Sequence, residues 1–281
     1  MSRKTRGLLI TSVALMLVGI IIFGGTMSMI NWNYTLLSTS QFENEEVKVT
    51  GEIKNVKIIA KTADVVFMAA PTDEAAVILN EQKNMKHTVT LAEGTLTVEV
   101  KDTRKWYEYI GINFKTPKIT VLLPMSDYGE LSVKTTTGKV ELPDEFCFER
   151  ADITVTTGGV TLGSRVLGAA NIKSTTGNVW VENATLGSLS VSLSTGNVNL
   201  KYSSCTESLK VNVSTGRVRF VDFDASDITV ETDTGDIIGN LLTPKQFDAK
   251  TATGRVSVPQ SEDGGSCKLT TDTGDINITV G

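Results

Sequence analysis

The chain has 281 residues, a formal net charge of −5, one histidine and three cysteines. No basic cluster exists beyond the first six residues, which argues against a nucleic-acid-binding surface. Around the lone histidine, His87, no His-based triad or zinc site can be assembled from the sequence, so neither chemistry is expected.

Arg3, Lys4 and Arg6 precede an uncharged run from Gly7 to Ile30. Leu8 to Ile30 as a helix would be roughly 34 Å long, enough to span a hydrocarbon core with some tilt. Trp32 and Tyr34 follow, as interfacial aromatics would. Cations before the span place the N-terminus in the cytoplasm and the remainder outside. A cleaved signal peptide would have a shorter apolar core and an A-x-A site. The run instead ends in Met27-Ser28-Met29-Ile30, so an uncleaved anchor is expected. The sequence then divides into a cytoplasmic tail (1–6), a transmembrane helix (7–30) and a polar stalk (31–48). Irregular rungs forming a cap (49–130) and regular repeats (131–281) follow.

In the cap, Val56 to Phe67 match the later repeats position by position, with Ala63 at the corner. A second degenerate copy is centred on Gly94, with Val89 and Leu91 before it and Leu96 and Val98 after. The lone His87 falls at an inward position of that copy. Ile119, Val121 and Leu123 supply one more strand. Between them, residues 101–116 carry Trp106, Tyr107, Tyr109 and Phe114. This stretch is either a ligand- or membrane-contacting loop or a flap over the first rungs.

From Thr137 onward a Thr-Gly pair recurs eight times, at Gly138, Gly158, Gly177, Gly196, Gly216, Gly235, Gly254 and Gly274. Such a period means one supersecondary unit stacked on copies of itself. Counting from each glycine, positions −5, +2 and +4 are apolar, as in Val191, Val198 and Leu200, with polar residues between them. That period-two alternation marks half-buried strands. Threonine at −1 is predicted to face inward, its hydroxyl satisfying a corner carbonyl. Position +9 (Cys147, Leu167, Leu186, Cys205, Ala225) suggests a third inward point. Rungs of about 19 residues must stack in parallel about 4.8 Å apart. The predicted fold is an all-β, parallel β-solenoid, right-handed by the crossover rule, preceded by one transmembrane helix.

Cys147 and Cys205 would lie three rungs apart, roughly 14 Å, too far for a disulfide. With Cys267 they read as buried hydrophobes. Thr-Asp-Thr-Gly-Asp occurs at 232–236 and 271–275. Sequential stacking would put Arg255 between Asp236 and Asp275 in a surface ladder. A calcium site from Asp233 and Asp236 would have too few oxygens. Asp272 completes the set of carboxylates, and no catalytic pair, metal site or cofactor emerges.

Positions +1 and +3 put Asn178, Trp180, Asn197, Asn199, Arg217 and Arg219 on three adjacent rungs. A solvent-facing tryptophan among amides and guanidinium groups is a candidate sugar-binding strip; the alternative is a surface aromatic under a loop. The chain stops just after Ile276–Val280, so that strand is expected as a free edge open to self-association.

The anchor, Thr-Ala-Asp-Val-Val-Phe at 62–67, Ile-Thr-Val-Leu-Leu-Pro at 119–124 and the serial Thr-Thr-Gly-x-Val-x-Leu repeats together resemble the DUF4097 family. These are bacterial putative adhesins that include LiaG-type membrane proteins, and the likeness covers about residues 45–281. The resemblance implies architecture and brings no catalytic residues. The expected function is non-catalytic binding or scaffolding at the cell envelope, with a glycan or envelope protein as partner. A self-assembling structural solenoid and a β-helix glycan-processing enzyme are the alternatives.

Overall fold

A computed structural model describes residues 3–33, 41–105 and 115–281. Tyr34, Trp106, Tyr107, Tyr109 and Phe114 lie outside the described residues. Arg3–Met29 form one helix, α1, with mean hydropathy 2.5 over its best window. It is long and apolar enough to cross a membrane, as an anchor or a signal sequence would be.

The β part is a separate unit. Its first strands are β1 (Phe42–Val49), β2 (Asn55–Ile59), β3 (Asp64–Ala69), β4 (Ala75–Gln82), β5 (Met85–Ala92), β6 (Thr95–Asp102) and β7 (Lys118–Leu123). Regular rungs follow as long and short strands around each glycine corner. They are β8 (Asp127–Thr137) with β9 (Val140–Leu142), β10 (Cys147–Thr157) with β11 (Val160–Leu162), and β12 (Arg165–Thr176) with β13 (Val179–Glu182). Next come β14 (Thr185–Thr195), β15 (Val198–Lys201), β16 (Ser204–Thr215) and the long β17 (Val218–Thr234), which serves two rungs. The last are β18 (Ile237–Leu241), β19 (Lys245–Thr253), β20 (Val256–Ser257), β21 (Gly265–Thr273) and β22 (Ile276–Val280). Long strands pair in parallel with long, and short with short, as a β-solenoid requires.

The core is a set of columns, one residue per rung. Val133, Ile153, Ile172, Val191, Val211 and Val230 are buried in one, and Leu142, Leu162, Val181, Leu200 and Phe220 in another. The corner depends on glycine. Gly216 has φ +153, and a Cβ there would lie 1.7 Å from the Gly196 carbonyl oxygen. A side chain cannot fit between corners stacked that closely. The hydrogen-bond ladder continues through the bend: Gly196 N–H donates to Thr215 O at 2.9 Å and Gly216 N–H to Thr234 O at 2.8 Å.

The threonine at −1 does not face inward. Thr157, Thr176, Thr195, Thr215 and Thr234 are all exposed. The backbone is already turning there, so strand parity ends at −3. The inward hydroxyls sit at −3 instead: Thr271 Oγ1 donates to Gly235 O at 3.0 Å, and Thr251 Oγ1 to Gly274 O at 2.9 Å. The third inward column also differs from the +9 reading. It runs Phe148, Val166, Leu186, Cys205, Ala225, while Leu167 is exposed. Register shifts just after Phe148, Val166, Leu186 and Cys205 absorb the alternating repeat lengths. Cys147 and Cys205 therefore occupy different columns. All three cysteines are free and buried, and burial pushes the Cys205 and Cys267 thiols up to about 12.

Gly94 is not a corner. Glu93 (φ 50) and Gly94 (φ 73) form a two-residue turn that folds β5 back antiparallel on β6, pairing Leu91 with Leu96. The second cap rung is instead β6 and β7, which lie parallel to β2 and β3. Beyond it the chain reverses: β4 is antiparallel to β7, and β1 to β4. β1 lies inside the stretch read as a stalk, its three glutamates masking a paired strand. His87 is buried in the β4–β5 hairpin, with Nδ1 2.8 Å from Glu81 Oε2.

The other end is rearranged. β21 pairs with both β17 and β19, and β22 with both β18 and β20. The Gly274 rung is thus inserted between the Gly235 and Gly254 rungs, and the chain's last two repeats exchange places. The expected free edge at Ile276–Val280 is consequently sandwiched, with Ile276 and Ile278 buried; the outer rung is β19–β20. Composition explains the choice. The inserted rung offers Leu269, Ile276 and Ile278 to the core, whereas the outer one offers Ala249, Val256 and Val258. Burying the larger set on both faces removes more apolar surface from water. An ion pair secures the arrangement. Lys245, side chain 5% exposed, reaches from the outer rung past Gly265 to Asp224 Oδ1 at 2.8 Å.

Candidate functional site

The strip predicted from +1 and +3 exists as one surface, because Thr161, Trp180, Asn199 and Arg219 are successive partners on β11, β13, β15 and β17. Its +1 members carry architectural work. Asn178 Oδ1 accepts from Asn197 N at 2.8 Å, and Asn197 Oδ1 accepts from Arg217 N at 2.9 Å. Each side chain satisfies an amide of the next rung at the corner, where the backbone ladder bends. Arg217 Nη2 then donates to Asp236 Oδ2 at 2.9 Å.

The ladder continues in the exchanged order. Asp236 Oδ1 accepts from Asp275 N at 3.1 Å, and Asp275 Oδ1 from Arg255 N at 2.8 Å. Arg255 therefore lies outside Asp275 and not between Asp236 and Asp275. The Asp275 amide and the Arg217 guanidinium hold the Asp236 carboxyl below its usual range. A carboxyl kept ionised this way is poorly suited to act as a general acid. Among the described residues, no group of three or more His, Cys, Asp or Glu side chains is placed to hold a metal.

At +3 the side chains point outward without that duty. Trp180 is half-buried, and a Cβ added to Gly159 would come within 2.9 Å of the indole Cζ3. The ring therefore lies over the Gly159 backbone, which has no side chain to lift it. Asn199 is half-buried beside it and Arg219 is exposed.

Thr161 also borders a groove of about 430 Å³ lined by Glu141, Asp144, Gly163 and Glu182. Glu182 is held by Lys201 at 2.9 Å. Beside one aromatic face the surface thus presents carboxylate acceptors on one side and amide and guanidinium donors on the other. That combination suits polyhydroxylated ligands, whose C–H faces stack on rings while their hydroxyls both donate and accept. The groove carboxylates were not singled out from sequence. Glu141 is the +3 residue of the first regular rung, paired with Thr161 in the same column as Trp180, whereas Asp144 and Glu182 sit at the second bend, which no invariant glycine marks. Positive φ at Asn183, Tyr202 and Asp222 marks that bend in three successive rungs.

Several solved structures are similar to this chain. One from Parabacteroides distasonis ATCC 8503, described as a putative adhesin, is 10% identical, with 86% of this chain and 98% of that chain covered at a TM-score of 0.41. Another from the same organism, described as a putative lipid binding protein, is 14% identical over 86% and 98%, with a TM-score of 0.42. A third, a putative adhesin from Bacteroides fragilis NCTC 9343, is 14% identical over 86% and 99%, at 0.38. No curated protein matches the chain. The family model described as Toastrack DUF4097 matches residues 53–281, which is the whole solenoid from the first cap rung onward. The chain belongs to the DUF4097 family.

Proposed function

We propose that this protein is a membrane-anchored, extracytoplasmic solenoid that binds an envelope glycan along the face after the glycine corner, without catalysing a reaction on it. The observation that carries the reading is Trp180, laid over Gly159 with acceptors of the Glu141–Asp144 groove on one side and Asn199 and Arg219 on the other. The anchor rests on α1 and the cations Arg3, Lys4 and Arg6 at its start.

Trp180 is one of three tryptophans. A Trp32→Phe/Trp106→Phe variant would leave its emission as the sole indole signal. Titration with purified wall or capsular glycan should shift that emission saturably. Trp180→Ala should keep the fold and lose retention on the same glycan. An unchanged spectrum with the fold intact, or full retention by Trp180→Ala, refutes the binding reading. Protease added to intact protoplasts should digest the solenoid; protection until lysis would refute the outside placement.

A further inference from the structure

Because the last two repeats exchange places, the strand that ends the solenoid is β19. It pairs on one side with β21, in continuous register from Lys245 to Thr251 and again at Thr253. Among the described residues no strand pairs with its other side. Beneath it the interior is incompletely closed. Phe247, Ala249 and Val258 are half-buried, Val256 is 44% exposed, and a cleft of about 610 Å³ runs between Phe247–Ala249 and Val258–Glu262. The opposite end is protected differently. β1 carries Glu43, Glu45 and Glu46, with Lys86 2.8 Å from Glu43, and such a charged edge resists further pairing.

The geometry points to a second copy of this chain as the occupant of the β19 edge, joined end to end about a two-fold axis through Ala249. The charges select both partner and register. An isologous contact needs a strand complementary to itself. Two copies of β19 must run antiparallel, and inward residues must oppose inward ones to keep the core continuous. Three registers then bring the central charges together, centred on residue 248, 249 or 250. Centring on Asp248 sets Asp248 against Asp248, and centring on Lys250 sets Lys250 against Lys250. Centring on Ala249 places Asp248 opposite Lys250 of the other copy, twice, and Phe247 opposite Thr251. Opposite charges directly across a strand pair are stabilising and like charges destabilising. Asp248 and Lys250 already form an ion pair within one strand at 2.9 Å, so the facing copies share four charges of alternating sign.

Residues on such a two-fold lie about 4.5–5.5 Å apart across an antiparallel pair, within disulfide reach. The full-length chain in membranes, carrying Ala249→Cys and oxidised mildly, should run as a covalent dimer on a non-reducing gel. Adding Asp248→Lys sets like charges across the axis and should reduce the dimer at least tenfold. Adding Lys250→Asp as well restores opposite charges and should restore it. Resistance of each variant to limited proteolysis reports the fold independently. A folded Ala249→Cys chain that stays monomeric overturns the proposal. So does an equal dimer yield in all three variants, which would indicate collision without the charge register. This contact is independent of glycan binding, since Trp180 is unchanged throughout.

Discussion

Replacing Gly216 with alanine tests the corner directly. Its new Cβ would sit 1.7 Å from the Gly196 carbonyl oxygen and 2.6 Å from its carbon, where real Cβ atoms essentially never come within 3.0 Å. The rungs must part by 3.0 − 1.7 = 1.3 Å or more at that corner. Parting them strains two ladder bonds, Gly196 N–H to Thr215 O and Gly216 N–H to Thr234 O, each contributing about 1 kcal/mol. Holding alanine at φ +153 adds about 1–3 kcal/mol. The total is about 3–5 kcal/mol. Thr215→Ala, one residue earlier, removes only an exposed side chain and should stay within about 0.5 kcal/mol. Denaturant melts give the global difference. Repeat arrays can open locally, so amide exchange across 190–235 should show the loss centred on the corner. A Gly216→Ala protein within 1 kcal/mol of wild type, or a Thr215→Ala protein equally damaged, would refute the reasoning.

Two further predictions concern packing and charge. Val211 is fully buried and Lys210 exposed, so Val211→Asp should cost several kcal/mol and Lys210→Asp almost nothing, read as melting temperatures; equal shifts would mean the register is wrong. Acid should loosen the inserted rung. Asp227 is held below its ordinary range by the Ser266 hydroxyl and amide, and Asp236 by the Asp275 amide and then Arg217. A depressed folded pKa contributes stability above the unfolded value, near 3.9, and loses it as pH falls through the folded value. The melting temperature should therefore drop below about pH 4, and drop less in Asp227→Asn/Asp236→Asn; an equal drop in both proteins would remove these carboxyls from the explanation.

The period of the sequence made the stacking and the inside of each rung legible, because one apolar residue in two has to be buried. Features that depend on choices between equivalent repeats were not legible in the same way. Val89, Leu91, Leu96 and Val98 alternate identically whether Gly94 bends the chain to a new face or folds it back. Thr215 looked inward because parity was carried through a residue where the strand has already turned. Rung order is silent in a period, since any repeat can stack on any other. The signal lay in side-chain size: Ala249 and Val256 against Leu269 and Ile276. At the candidate site, +3 marked Trp180 as outward and applies equally to Glu141, but the placement of Asp144 and Glu182 beside them depends on the unmarked second bend.

The exchange of the last two repeats governs the free edge, the carboxylate ladder and the proposed contact, and disulfide trapping tests it most directly. Glu231 pairs with Thr270, and Thr270 with Lys250. Glu231→Cys/Thr270→Cys therefore places two thiols on adjacent rungs about 4.8 Å apart, and Glu231→Cys/Lys250→Cys places them about 9.6 Å apart. The first pair should close under mild oxidation without loss of fold, and the second should stay reduced. Closure of the 231–250 pair, with 231–270 reduced, would show the repeats stacked in chain order and contradict the account.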